Sequence, residues 1–129
     1  MSKFPKAERL NSKKRFAQLI AVGRSLHIYP LRTLWLVSQS TSSFQLQVAF
    51  SVPKRKFRKA VNRNRIKRMM REAFRLEKEP FKEALKDQPL ELYLLMIYKP
   101  KSEVSWQIIR EGMQETLSEL KNEVVGQTR

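Results

Sequence analysis

The stretch that decides the fold runs from residue 44 to residue 76 and reads FQLQVAFSVPKRKFRKAVNRNRIKRMMREAFRL. Its first nine residues alternate large apolar side chains with polar or small ones, which is typical of a strand with one buried face. The residues that share this face are Phe44, Leu46, Val48, Phe50 and Val52. From about Ala60 the apolar spacing changes to that of a helix. The segment therefore predicts a half-buried strand followed by an amphipathic helix.

The predicted helix combines an apolar face with a basic one. Its apolar residues are Ile66, Met69, Met70, Ala73 and Leu76. At about 100° per residue, a separate stripe, which we call the arginine stripe, is formed by Asn64, Arg68, Arg71 and Arg75, with Lys67 beside it. Planar guanidinium groups suit bidentate contacts with phosphate oxygens, and an asparagine amide both donates and accepts hydrogen bonds. This face is therefore chemically suited to a phosphate backbone.

Much of the positive charge of the chain lies in the same segment. The 129 residues carry 27 Lys and Arg against 12 Asp and Glu, a formal charge of +15. Residues 54–75 hold 11 of the basic residues and a single acid, Glu72. A solvated helix face usually interleaves acids with its bases, so this face predicts a polyanionic partner instead. Nucleic acid is the first candidate and an anionic membrane surface the second.

The other segments predict a small α+β domain. Residues 13–22, between Ser12 and Gly23, are expected to form a short helix with a polar N-cap and a glycine stop. Residues 26–37 are expected to be extended and to reach the 44–52 strand through a hairpin-type connection over residues 38–43. Pro80 is expected to end the basic helix, residues 90–98 to form a buried strand, and Ser102 to cap a last helix. This order predicts helices packed on one sheet in a single domain.

Several kinds of chemistry have no support in the residues. The chain has no cysteine, which excludes disulfides and thiolate metal sites. His27, the only histidine, has no partner pattern, and the acids four residues apart between Glu103 and Glu123 fit a solvated helix face. No glycine-rich phosphate loop or nucleophile motif is present. We expect no catalytic or metal site in the protein, no small-molecule substrate, no membrane segment and a cytoplasmic location.

Three stretches together resemble the signature of a known family: FSVPKR at residues 50–55, AVNRNRIKR at 60–68 and REAFR at 71–75. Their order, spacing and flanking strand resemble the RNR signature of the ribonuclease P protein family. Leu10, Phe16, Gly23 and the Lys99-Pro100 exit from the last strand extend the likeness over most of the chain. The resemblance implies one ribonuclease P protein domain over residues 1–129. The implied fold is an αβββαβα sandwich of ribosomal-protein type, with a left-handed β-α-β crossover at the signature helix.

The resemblance also implies the protein subunit of a ribonucleoprotein endonuclease that removes the 5′ leader of precursor tRNA. The partners would be ribonuclease P RNA and precursor tRNA. Hydrolysis would belong to the RNA, with Mg²⁺ held by the RNA and the substrate and not by a protein site. The RNA-binding residues taken from the motif and the basic run are Arg63, Asn64, Arg65, Lys67, Arg68, Arg71, Arg75, Lys54 and Arg55. The leader groove would be lined by Phe16, Ile20 and Trp35, the last an aromatic residue of the first strand.

Two positions depart from the family pattern. The family commonly has a glycine in a slightly shorter loop where this chain has residues 56–59, and a groove position often aromatic in relatives is Ile20 here. On residue statistics alone, Phe16 and Trp35 could also be core residues.

A ribosomal-type structural RNA-binding protein would share the charge and the size. A duplex-DNA regulator would need a second helix and a short turn before the basic helix, and neither is predicted.

Overall fold

Three helices and four strands form the part of the chain that the structure, a computed structural model, describes: residues 8–39 and 43–127. In chain order they are α1 (Lys13–Val22), β1 (Arg24–Ile28), β2 (Leu31–Gln39), β3 (Gln45–Ser51), α2 (Ala60–Leu85), β4 (Leu90–Tyr98) and α3 (Trp106–Gln127). This order confirms the αβββαβα arrangement. The prediction of one extended segment over residues 26–37 was wrong, because the turn at Tyr29 and Pro30 divides it into two strands. A proline has no N–H with which to continue a strand ladder.

The four strands form one sheet in the order β1-β2-β4-β3. Strand β4 pairs antiparallel with β2 and parallel with β3. The predicted hairpin between residues 37 and 44 is therefore wrong, since β4 lies between the two strands it would have paired; residues 40–42 of that connection lie outside the described residues. The near-continuous apolar sequence of β4 explains its inner position, because both of its faces are covered. The left-handed sense of the β3-α2-β4 crossover stays a prediction.

Helices cover both faces of the sheet. Helices α2 and α3 pack on one face, where the larger core includes Trp35, Leu94 and Met96 from the strands and Ile66, Met70, Phe74, Ile109 and Met113 from the helices. Helix α1 packs on the other face, where Leu19 joins Leu34, Tyr93 and Leu95. We call this second face the α1 face. It is only partly covered, because α1 is ten residues long.

The ends of α1 and α3 follow from local hydrogen bonds. The Ser12 hydroxyl accepts a bond from the Arg15 N–H at 3.3 Å, and the Gly23 N–H donates to the Leu19 carbonyl at 3.0 Å, so both predicted ends of α1 are confirmed. The cap of α3 is Ser105, whose hydroxyl accepts from the Ile108 N–H at 3.2 Å. The prediction that Ser102 caps this helix was wrong.

Helix α2 continues through Pro80 to Leu85, so the prediction that Pro80 ends it was also wrong. A proline inside a helix removes one backbone hydrogen bond and costs about 3 kcal/mol. Phe81 and Leu85, which follow it, are both buried in the larger core. Burying each of these side chains contributes about 1.5 to 3 kcal/mol. Packing of the last turns thus offsets the unfavourable residue.

An ion triplet around the buried Glu8 carboxylate fixes residues 8–10, just before α1, to the second half of α2. Glu8 is 7% exposed, and its carboxylate accepts hydrogen bonds from Lys78 Nζ at 2.7 Å and Lys82 Nζ at 2.6 Å. Burial alone would raise the pKa of Glu8, but the two lysines together hold that pKa below its ordinary value. The adjacent Leu10 N–H donates to the Val48 carbonyl at 3.0 Å. These contacts place residues 8–10 against β3 and α2.

Candidate RNA interface

The arginine stripe lies on the side of α2 that faces away from the core. Ile66, Met70 and Ala73 are fully buried on the opposite side, whereas Asn64, Arg68 and Arg71 are exposed. Across residues 8–39 and 43–127, no side-chain hydrogen bond or ion pair engages these three residues or Lys67. Their donors are therefore available to a ligand.

The other predicted RNA contacts on α2 are already engaged within the protein. Arg75 forms a bidentate pair with Glu72, with the Arg75 Nε at 3.1 Å from the carboxylate, and this pairing lowers the pKa of Glu72. Arg65 donates to Glu103 at 3.4 Å and to Asn62 at 3.2 Å. The Arg65 side chain is 52% exposed and that of Arg75 37%, and both guanidinium groups retain further donors. They can still contact phosphate, but only by sharing or exchanging their present partners.

Arg63 has a different position, beneath the loop that precedes α2. Its Nη1 donates to the carbonyls of Phe57 at 2.7 Å and Arg58 at 2.9 Å. The predicted contacts Lys54 and Arg55 are exposed in the turn at the start of this loop. Arg63 therefore holds the loop in place, while Lys54 and Arg55 extend the exposed basic surface beyond the end of β3.

Of the predicted groove residues, the structure brings Phe16 and Ile20 together but not Trp35. Phe16 is 37% exposed and Ile20 63% exposed, and both lie on α1. Trp35 is 2% exposed and lies in the core beneath α2 and α3, on the opposite face of the sheet. Alternate side chains of a strand point to opposite faces, so Leu34 and Leu36 face α1 where Trp35 cannot. The prediction that Trp35 lines the groove was wrong.

Three partly exposed residues on the α1 face of the sheet were missed by the sequence analysis. Arg32, Ile97 and Ser51 are aligned across β2, β4 and β3, on the α1 face, and all three are partly exposed. The Arg32 Nε donates to the Ser25 hydroxyl at 3.3 Å, and this hydroxyl is 3.1 Å from the His27 Nε2. Alternate side chains along β2, which starts at Leu31, point to opposite faces of the sheet, so this alternation would have placed Arg32 on the same face as Leu34. The α1 face thus combines the exposed apolar side chains of Phe16 and Ile20 with the cation of Arg32.

The described part of the chain offers little for chemistry of its own. Within residues 8–39 and 43–127, no group of three or more His, Asp or Glu side chains could hold a metal ion. In that same part, every helix is too short or too polar to cross a membrane. The geometry of the exposed basic residues supports binding of a polyanion.

Comparison with known proteins gives one consistent family. The family model of Ribonuclease P matches residues 4–121. A ribonuclease P protein component of Porphyromonas gingivalis is 27% identical over 92% of this chain and 87% of its own length. One from Dictyoglomus turgidum is 34% identical over 75% of this chain and 72% of its own.

Solved structures agree on the fold. The RNase P protein of Staphylococcus aureus superposes with a TM-score of 0.65 at 21% identity, over 90% of this chain and 97% of its own. The RNase P protein of Thermotoga maritima gives a TM-score of 0.65 at 22% identity, over 87% of this chain and 96% of its own. The family match also decides between the ribonuclease P function and the ribosomal-type alternative. The chain therefore belongs to the ribonuclease P protein family, the protein components of the ribonucleoprotein endoribonuclease of tRNA 5′ processing.

Proposed function

We propose that the exposed stripe residues of α2 bind the catalytic RNA of ribonuclease P and that the α1 face binds the leader of precursor tRNA. The observation that carries the RNA-binding part of this proposal is that Asn64, Lys67, Arg68 and Arg71 have no side-chain partner among the described residues. Structured RNA presents phosphates along its surface, and each phosphate that is neutralised releases bound counterions. A rigid helix whose opposite face is buried holds these donors at fixed spacing.

The leader site rests on the different chemistry of the α1 face. Phe16 and Ile20 provide apolar surface there, while Arg32 provides a cation. An unpaired base can stack on an exposed aromatic ring, which contributes about 1 to 3 kcal/mol per base. Ile20 offers contact without stacking, so Phe16 is the main base platform in this proposal.

Cleavage itself is assigned to the RNA. The role proposed for the protein is to place substrate and catalytic RNA against each other, and Mg²⁺ is assigned to the RNA and the substrate phosphates. By lowering repulsion between two polyanions, a basic protein reduces the Mg²⁺ concentration that their association requires. A cytoplasmic location is part of the same proposal, because precursor tRNA is processed where it is made.

The proposal is tested by mixing the full chain with a bacterial ribonuclease P RNA and precursor tRNA at low and high Mg²⁺. We expect faster cleavage at the 5′ end of the mature sequence, with the larger stimulation at low Mg²⁺. RNA-free protein should not cleave. No stimulation at either concentration, or metal-dependent cleavage by the protein alone, would contradict the proposal.

Phe16→Leu tests the leader site in the assembled enzyme. Affinity for precursor tRNA should fall by about tenfold, the loss of a stacked base, whereas affinity for mature tRNA should not change. Ile20→Ala should have a smaller effect on the same substrate. An equal loss for both tRNAs would remove Phe16 from the leader site.

A further inference from the structure

Helix α1, which carries the proposed leader site, buries little of its own surface. Of its ten residues only Leu19 is buried, and the Arg15 guanidinium lies over the Tyr93 ring, 4.8 Å from its centroid. Phe16 and Ile20 are exposed. A helix this short is marginal in water by itself. The position of α1 on the sheet therefore depends on the segments at its two ends.

Both ends of α1 are held by neighbouring segments. At its C-terminal end, β1 begins directly after the Gly23 cap. At its N-terminal end, Leu10 is 8% exposed and packs in the core beneath the helix. Only two residues separate Leu10 from the start of the helix, and Phe16 lies in the first turn. A displacement of residues 8–10 would therefore move Phe16.

Residues 8–10 are in turn tied to α2 around the edge of the sheet. They lie beside the edge strand β3, with which Arg9 forms a bridge. From there the two oxygens of the Glu8 carboxylate reach Lys78 and Lys82, one oxygen for each lysine. Helix α2 packs on the face of the sheet opposite to α1. Glu8 therefore connects the elements on the two faces.

The two lysines continue the line of the arginine stripe along α2. Lys78 and Lys82 come seven residues after Arg71 and Arg75, which is about two helical turns. The helix runs unbroken from Ala60 to Leu85, and buried residues follow one another along its other side. One rigid helix thus carries the proposed RNA contacts in its first half and the tie to α1 in its second half.

We propose that Glu8 is a positioning residue. Through Lys78 and Lys82 it holds Phe16 at a fixed place relative to the arginine stripe, and so sets the preference of the assembled enzyme for precursor over mature tRNA. This inference rests on the proposed function. Glu8 itself does not touch RNA, because it is 7% exposed and both its oxygens are engaged by lysines. It acts through spacing, since substrate and catalytic RNA meet productively only when their sites are correctly placed.

A simple effect of charge would have the opposite sign. Replacing Glu8 by Gln removes one negative charge and leaves the basic side chains in place, so electrostatics alone predicts tighter binding of every polyanion. Positioning predicts weaker binding of precursor tRNA and no loss for mature tRNA, which has no leader. The direction of the change therefore separates the two effects.

The test measures the affinity of the assembled enzyme for both tRNAs at a temperature where every variant is folded. With Glu8→Gln, which keeps the size of the side chain, affinity for precursor tRNA should fall about three- to tenfold, at most the loss of one stacked base. Affinity for mature tRNA and the salt slope for the catalytic RNA should not fall. Because Glu8 acts through Phe16, adding Glu8→Gln to Phe16→Leu should cause no further loss.

Control variants separate positioning from a loss of stability. Leu117→Ala opens a cavity in the larger core, on the other face of the sheet from α1. It should lower the melting temperature without changing the preference for precursor tRNA. If Glu8→Gln does not fold, Lys82→Gln removes only the partly exposed arm of the triplet and should reduce the preference in the same way. Its matched control, Lys86→Gln, removes an equal charge and should leave the preference unchanged.

Equal loss for both tRNAs, tighter binding of both, or an unchanged preference would overturn the inference, as would full additivity of Glu8→Gln and Phe16→Leu. The Phe16→Leu variant alone distinguishes this failure from failure of the proposed function. If Phe16→Leu weakens precursor tRNA selectively and Glu8→Gln does not, only the positioning role is rejected. If Phe16→Leu has no selective effect, the leader site itself is rejected.

Discussion

The two halves of α2 carry the same kinds of basic side chain and use them differently. In the second half, Lys78 and Lys82 are paired with Glu8, and Lys86, directly after the helix, is paired with Glu83 at 2.6 Å. In the first half, Arg65 is paired with Glu103, but Lys67, Arg68 and Arg71 have no such partner among the described residues. The contrast teaches that a cation matched with a carboxylate contributes to structure, whereas one held exposed on a rigid face is available for a ligand.

Breaking the triplet at Glu8 should have the largest effect on stability. Glu8→Ala leaves Lys78 buried without its anion, and losing one partner of a buried pair costs about 3 to 5 kcal/mol. Urea unfolding measures this cost. The matched control is Glu83→Ala, which breaks an exposed pair and should cost less than about 1 kcal/mol. Similar losses for both variants would mean that the triplet contributes no more than a surface ion pair.

The aromatic residues provide a second contrast between core and open surface. Trp35→Leu should lower the free energy of unfolding by about 2 to 3 kcal/mol, because a smaller side chain leaves a cavity in the larger core. Phe16→Leu should cost about 1 kcal/mol or less, since Phe16 is partly solvated. Thermal melting of both variants shows which of the two substitutions is the more destabilising. If Phe16→Leu were the more destabilising change, Phe16 would be a core residue and not a base platform.

A smaller effect is expected from acid. The pKa of Glu8 is lowered in the folded protein, so the unfolded chain takes up a proton at Glu8 at a higher pH than the folded one. Its contribution to stability is therefore complete above the unfolded pKa of about 4.3, and it is lost as pH falls through the folded pKa. The difference in melting temperature between wild type and Glu8→Gln should be largest near neutral pH and shrink below pH ~4. A difference that grows in acid would contradict this assignment.

The predictions made from sequence succeeded where a single local pattern decides the structure. Alternation identified β3, the apolar run identified β4, and helical spacing identified the buried face of α2. The end of α2 was misjudged because burial of Phe81 and Leu85 outweighs the cost of Pro80, and burial depends on distant residues. The strand order was misjudged because β4, which separates β2 from β3, begins about 50 residues after the end of β2 and about 40 after the end of β3.

The site residues, too, were predicted correctly only where a local pattern decides their position. The basic face of α2 follows from helix geometry alone, so Asn64, Arg68 and Arg71 were found correctly as exposed residues. Which guanidinium groups are engaged within the protein depends on loops brought together by the fold, as with Arg63 beneath residues 57 and 58. Trp35 was misplaced because the resemblance implied only an aromatic residue of the first strand. Neighbouring residues of a strand face opposite sides of the sheet, so Leu34 faces α1 while Trp35 lies in the larger core.

The central claim, that unpaired cations on the first half of α2 bind RNA, is tested most directly by salt dependence. Affinity for a bacterial ribonuclease P RNA is measured over a range of salt for three proteins: wild type, Arg68→Ala with Arg71→Ala, and Lys86→Ala with Lys121→Ala. We expect the arginine pair to reduce the slope of log affinity against log salt by about 1.4 to 1.8, two phosphate contacts, with an unchanged melting temperature. The lysine pair should keep the wild-type slope. Equal slopes for all three proteins, with a lower melting temperature for the arginine variant, would contradict the account and make the stripe part of the structure.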